Sequence, residues 1–271
     1  MSEHIAFIGG GNMASAIIGG LIKQGVPPED IDVVEPFDQA RHQLDRSFGI
    51  QARAQAGAFL NSAALVVWAV KPQTFKEAAL AVAPHASSAL HLSVAAGIRS
   101  DSIAGWLDTE RVVRAMPNTP ALVGKGITGL YARSGVSTAD QARVNQVMAT
   151  TGDYLWFDTE DKLDVVTALS GSGPAYVFYF MEAMTTAGTE MGLTREQAHQ
   201  LAVATFAGAS ALAQTSSESP QVLRQRVTSK GGTTYAAISA MENDDVRALF
   251  IDAMYAARDR AKELGDEFGA A

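Results

Sequence analysis

An α/β domain built on a mostly parallel sheet, followed by an all-α domain, is the architecture this sequence predicts. Three observations carry the prediction. Over residues 1–160 short apolar runs alternate with segments of helical period, the pattern of a sheet covered by helices on both faces. Beyond about residue 160 the β-branched runs nearly vanish, and Ala, Leu, Met and Glu recur at helical spacing as far as Leu264. The length of 271 residues exceeds what one core usually organises. The domains are therefore read as 1–160 and 161–271.

The first element is the apolar run Ile5 to Ile8, which ends in Gly9, Gly10 and Gly11. Residues 12–24 follow with Met13, Ile17, Ile18, Leu21 and Ile22 on one helical stripe, so the order is strand, glycine turn, helix. Residues 31–35 form a second strand after Val26, Pro27 and Pro28, residues 37–47 a helix, and Leu65 to Val70 a continuous buried-strand run. Further strands are expected at 90–95, 112–116, 127–131 and 154–157, with helices near 73–82, 100–106 and 138–150. In the second half, helices are expected near 161–170, 174–190, 195–213, 219–228, 233–241 and 244–264. Pro174 marks a start, Gly192 an end, and Thr194 with Gln197 a capping box. Gly171, Ser172, Gly173 and Pro174 read as a corner between two helices.

Composition removes several function classes. There are no cysteines, which excludes a disulfide framework, a thiolate nucleophile and a cysteine-held metal or cluster. Lys plus Arg number 21 against 29 for Asp plus Glu, a net charge of -8, the wrong sign for a nucleic-acid binder. The longest apolar run, residues 63–70, falls far short of the roughly 20 residues that span a bilayer. The N-terminus shows no basic or apolar leader, so the expected address is the cytoplasm. His4, His42, His85, His91 and His199 lie outside every motif, and no metal site is expected.

Gly9, Gly11 and Ala14 fit G-x-G-x-x-A directly after a strand and at the opening of a helix, the context of a Rossmann dinucleotide site. The first glycine allows the tight turn, the second lets a pyrophosphate approach the backbone, and the small third residue lets helix and strand pack closely. Asn12 and Met13 bring free N–H groups to the phosphates. Glu35, followed by Pro36, ends the second strand where an acid binds ribose hydroxyls, or is simply a solvated carboxylate. Ala69, Val70, Lys71 and Pro72 end a buried strand at the ligand edge of the sheet. Ala95, Ala96 and Gly97 form a small-residue edge on which a nicotinamide ring could lie. Asn118 and Thr119, bracketed by Pro117 and Pro120, are placed to meet the nicotinamide or the substrate.

Five stretches resemble the pyrroline-5-carboxylate reductase family in order and spacing over essentially the whole chain. They are GGGNMA, AVKPQ, RAMPNTP at 114–120, ALSGSGPAY at 168–176 and VTSKGGTT at 227–234. The resemblance implies NADPH- or NADH-dependent reduction of the cyclic imine 1-pyrroline-5-carboxylate to L-proline, the last step of proline biosynthesis. It implies a Rossmann domain, a helical domain that interleaves in a homodimer, and further assembly of dimers. The helical half reads as too open to bury its own apolar faces, in keeping with a partner that completes its core. The resemblance further implies that Thr234 donates a hydrogen bond or proton to the imine nitrogen.

The residues suit that chemistry. Ser229, Gly231, Gly232, Thr233 and Thr234 precede a helix whose N-terminus can hold a substrate carboxylate, the alternative being ordinary capping by Ser229, Thr233 or Thr234. A basic imine nitrogen can bind already protonated, so no imidazole acid is required. The chain departs from the family pattern at Lys230, where proline is frequent, and at Glu35, where NADPH-preferring members carry a polar or small residue. Dinucleotide binding without chemistry and reduction of hydroxyacids or other imines are the competing readings.

Overall fold

The computed structural model describes residues 4–269. Seven strands form one sheet: β1 (His4–Ile8), β2 (Ile31–Val34), β3 (Ala63–Trp68), β4 (Leu90–Ser93), β5 (Val112–Met116), β6 (Gly126–Ala132) and β7 (Gly152–Phe157), in the order β2-β1-β3-β4-β5-β6-β7. Strands β1 to β5 are parallel; β6 returns antiparallel to β5 and β7 pairs parallel to β6. Six helices belong with this sheet: α1 (Asn12–Lys23), α2 (Asp38–Phe48), α3 (Pro72–Val82), α4 (Ser100–Leu107), α5 (Thr138–Met148) and α6 (Lys162–Val166).

The alternation of side chains along β1 explains why it carries no polar residue after His4. Ile5 and Phe7 enter one core with Ile17, Ile18 and Leu21 of α1, Leu44 of α2 and Val144 of α5. Ala6 and Ile8 enter the other, with Phe75 and Val82 of α3 and Ile103 and Leu107 of α4. A strand covered on both faces must be apolar at every position. Each fully buried Ile, Leu or Phe contributes about 1.5–3 kcal/mol. In the second core Trp68 stacks on Phe75 with ring centroids 4.9 Å apart, and the Trp68 indole N–H donates to Nδ1 of the buried His91 at 3.1 Å.

A buried polar cluster ties the end of the sheet domain to α4. Oε1 of Glu160 accepts from the Arg114 guanidinium at 2.5 Å and from the Ser100 N–H at 2.7 Å, while Oε2 accepts from the Ser100 hydroxyl at 2.6 Å. Beside it Arg99 grips Asp164 with two hydrogen bonds of 2.8 and 3.2 Å.

The remaining helices are α7 (Gly173–Glu190), α8 (Arg195–Thr215), α9 (Pro220–Arg226), α10 (Thr233–Asn243) and α11 (Val246–Gly269). The capping box expected at Thr194 and Gln197 forms. At 171–174, where a corner between two helices is expected, Thr167–Gly171 is a π-helical turn, Ser172 lies outside both helices at φ -83° and ψ -17°, and α7 begins at Gly173. The chain separates into two units, one running through Ser172 and regaining the residues from Ala257 onward, the other spanning Gly173–Ala256. The sequence pattern, which changes near residue 160, has no means of showing that the end of α11 rejoins the first unit: there Gly265 lies against the Arg99 guanidinium and Phe268 against Gly97.

Within Gly173–Ala256 the only buried apolar residues among those described are Ala198 and Ala202, whereas Phe178 is 57%, Tyr179 70%, Leu201 58% and Leu249 63% exposed. Helices with so little interior do not offset their ordering entropy alone, and so many exposed large apolar side chains are surface available to a protein contact.

Two stability measurements test this packing. Glu160→Ala leaves Arg114 buried without its countercharge and should cost about 3–5 kcal/mol in denaturant unfolding. Burial pushes the His91 pKa down to about 4, against the opposing backbone of Ala86 and with Arg111 adding to the decrease. The unfolded chain, with an ordinary pKa near 6.5, therefore takes up this proton first. Stability should fall as pH drops from about 6.5 to about 4. His91→Gln should flatten that fall by up to about 3 kcal/mol.

Candidate active site

The sheet order reverses between β1 and β3, and in open α/β sheets the crevice at the carboxyl ends of such a pair is where ligands bind. Gly9 leaves β1 here with φ +96°, and a Cβ on it would lie 2.6 Å from the carbonyl oxygen of Ala69. Turn geometry and close approach both demand glycine. Gly10 donates its N–H to Oε2 of Glu35 at 2.8 Å, and a Cβ on it would meet Leu44 at 2.7 Å.

Gly11 is different. Its backbone, φ -73° and ψ -169°, suits any residue, and a Cβ there would meet nothing within 4 Å. Neither folding nor packing explains this glycine, whereas a ligand lying on the backbone does. Gly11 is also the N-cap of α1, with no side chain satisfying the first turn, so the N–H groups of Asn12 and Met13 and the helix dipole face open space. A pyrophosphate fits this cradle.

Glu35 is buried, with Oε1 accepting from the Phe37 N–H at 2.9 Å while Oε2 holds Gly10. It is a clamp on the glycine turn, and not a solvated carboxylate. Arg41 reaches back to the carbonyls of Glu35 and Pro36 at 2.9 and 2.7 Å and pairs with Asp38. Sequence reasoning missed Asp38, although its i,i+3 spacing to Arg41 at the start of a helix is the signal that finds it.

Ala69 and Val70 lie just beyond β3 against Gly9. Lys71 is the exposed N-cap of α3 with Pro72 in the first turn. Ala96 is exposed, but Gly97 lies 3.3 Å, measured from an ideal Cβ, from Leu264 and Phe268, so packing accounts for it. Asn118 is buried and its amide is engaged at both ends, Nδ2 donating to the Ser170 carbonyl and Oδ1 accepting from Ile127 N–H. It anchors the strand end to the π-helical turn.

In the second unit, the Ser229 carbonyl accepts from Gly232 N–H at 3.0 Å and Gly231 turns the chain at φ +74°. Gly232 is the N-cap of α10, and no side chain caps it. The capping alternative for Ser229, Thr233 and Thr234 therefore fails, and the first turn of an 11-residue helix is left with unsatisfied N–H groups. Thr233 is exposed and Thr234 half-buried. Such a terminus favours an anion. Among the described residues no group of three or more His, Asp or Glu side chains is arranged to hold a metal, and no helix is long and apolar enough to cross a membrane.

Comparison with known proteins agrees with this geometry. The profile described as pyrroline-5-carboxylate reductase dimerisation matches residues 160–264, and that described as NADP oxidoreductase coenzyme F420-dependent matches residues 4–97. A pyrroline-5-carboxylate reductase of Pseudomonas aeruginosa is 44% identical over 270 residues, 99% of each chain. One from Arabidopsis thaliana is 36% identical, covering 97% of this chain and 96% of its own. Among solved structures, a pyrroline-5-carboxylate reductase from Coxiella burnetii superposes with a TM-score of 0.90 at 39% identity, over 97% of this chain and 99% of its own. The Plasmodium falciparum pyrroline carboxylate reductase with NADP bound gives 0.87 at 27% identity, over 97% and 98%. A glycine cradle open to a dinucleotide, an uncapped helix start within SKGGTT, and this likeness along the full length lead to one conclusion: the chain belongs to the pyrroline-5-carboxylate reductase family.

Proposed function

We propose that this protein reduces 1-pyrroline-5-carboxylate to L-proline with NADH or NADPH. The observation that carries the reading is Gly11, a glycine that neither the backbone nor the packing requires, at the open N-terminus of α1. Gly9, Gly11, Asn12 and Met13 would hold the pyrophosphate, Glu35 and Pro36 the ribose end, and Ala69, Val70, Lys71 and Pro72 the neighbouring wall. The reduced nicotinamide, when bound, supplies the hydride.

This chain's part is to bind and orient the imine. The N–H groups at the start of α10 receive the carboxylate, with Ser229, Gly231, Gly232 and Thr233 shaping the loop. Thr234 donates its hydroxyl to the imine nitrogen or meets it already protonated. Holding donor and acceptor in register supplies most of the rate, since an iminium carbon needs little further activation. The exposed apolar faces of α7, α8 and α11 support closure into a homodimer; within the same reading dimers associate further and the enzyme works in the cytoplasm.

Oxidation of NADH or NADPH in the presence of racemic 1-pyrroline-5-carboxylate tests the proposal, and no turnover with either cofactor would defeat it. Thr234→Ala should lower kcat/KM roughly ten- to hundredfold, the worth of a hydrogen bond to a charged group, with cofactor affinity little changed. Equal losses in both would assign Thr234 another role. Gly11→Val, which the fold accommodates, should abolish dinucleotide binding in a direct titration while leaving the unfolding midpoint close to that of the parent.

A further inference from the structure

We infer that this protein prefers NADH to NADPH, and that Glu35 and Asp38 set the preference by occupying the place where a 2'-phosphate would need a base. The inference rests on the function proposed above. The two cofactors differ only at one ribose hydroxyl, which in NADPH carries a phosphate of nearly two negative charges.

The side chains at the end of β2 oppose that phosphate. The Glu35 carboxylate is buried beside the glycine turn and accepts two backbone N–H groups. A carboxylate offers about four acceptor positions, so two remain for a ribose diol, which has two O–H donors. A phosphate at the 2'-position removes one of those donors and sets like charge against like.

Two arginines nearby are already committed. Arg41 donates to the carbonyls of Glu35 and Pro36 and pairs with Asp38, so its charge is neutralised by a carboxylate that is itself 80% exposed on the solvent side. Arg53, whose carbonyl accepts from Glu35 N–H, turns its guanidinium away to Asp32 at 3.3 Å and over the Phe59 ring at 3.9 Å. Freeing Arg41 by removing Asp38 would give a 2'-phosphate the partner it lacks.

Direct titration of the whole protein with NADH and with NADPH, followed by nicotinamide fluorescence, tests this. The parent should bind NADH at least tenfold more tightly. Asp38→Ala should narrow the ratio at least threefold, chiefly through tighter NADPH, and Glu35→Gln should narrow it by removing charge while keeping an acceptor oxygen. Competition by 5'-AMP should exceed that by its 2'-phosphorylated form in the parent, and the order should draw together in Asp38→Ala. NADPH binding as tight as NADH in the parent, or a ratio unmoved in both variants, overturns the inference, even where turnover of 1-pyrroline-5-carboxylate with NADPH upholds the function. Binding of neither cofactor overturns both.

Discussion

The close approach of β1 and β3 at their carboxyl ends is the constraint on which the cofactor end depends. The Gly9 backbone lies against the Ala69 carbonyl with no room for a side chain, and that contact aims α1 at the crevice between the two strands. It is possible only because β1 is buried on both faces between β2 and β3. Packing of Ile17, Ile18 and Leu21 then holds α1 in the orientation that leaves its N-terminus open. One hydrogen bond, from Gly10 to Glu35, links the glycine turn to the end of β2.

The helical unit obeys a different constraint. Its helices carry capping signals that work locally, as at Thr194, yet Gly173–Ala256 encloses almost no apolar side chain of its own. Local propensity makes the helices; a protein contact must supply the interior. The match of residues 160–264 to a dimerisation family describes the same feature from the side of known proteins.

The fold was largely legible because the two periodicities of the sequence are unambiguous. Strands that must be apolar throughout and helices with one apolar stripe leave few alternative assignments. The stretch 171–174 shows where local pattern stops informing: glycine and proline signal an interruption between helices, but not that the helix before it closes with a π turn over Thr167–Gly171. Gly97 and Asn118 show what only the tertiary structure adds at the site. Gly97 packs against Leu264 and Phe268, and both ends of the Asn118 amide are engaged, contacts between residues far apart in the chain.

By itself the sequence determined the glycine turn, the glycines at the starts of α1 and α10, the absence of cysteine and the change from sheet to helical pattern, because each is read from the residues themselves or from neighbours close in the chain. Tertiary structure decided what each polar group does. Glu35 became a clamp through a bond spanning 25 residues, Arg41 was tied down by Asp38 and two carbonyls, and Gly11 was distinguished from its neighbours by the empty space above it. Hydrogen-bond partners and free volume arise only when distant segments meet, and no local pattern of residues encodes them.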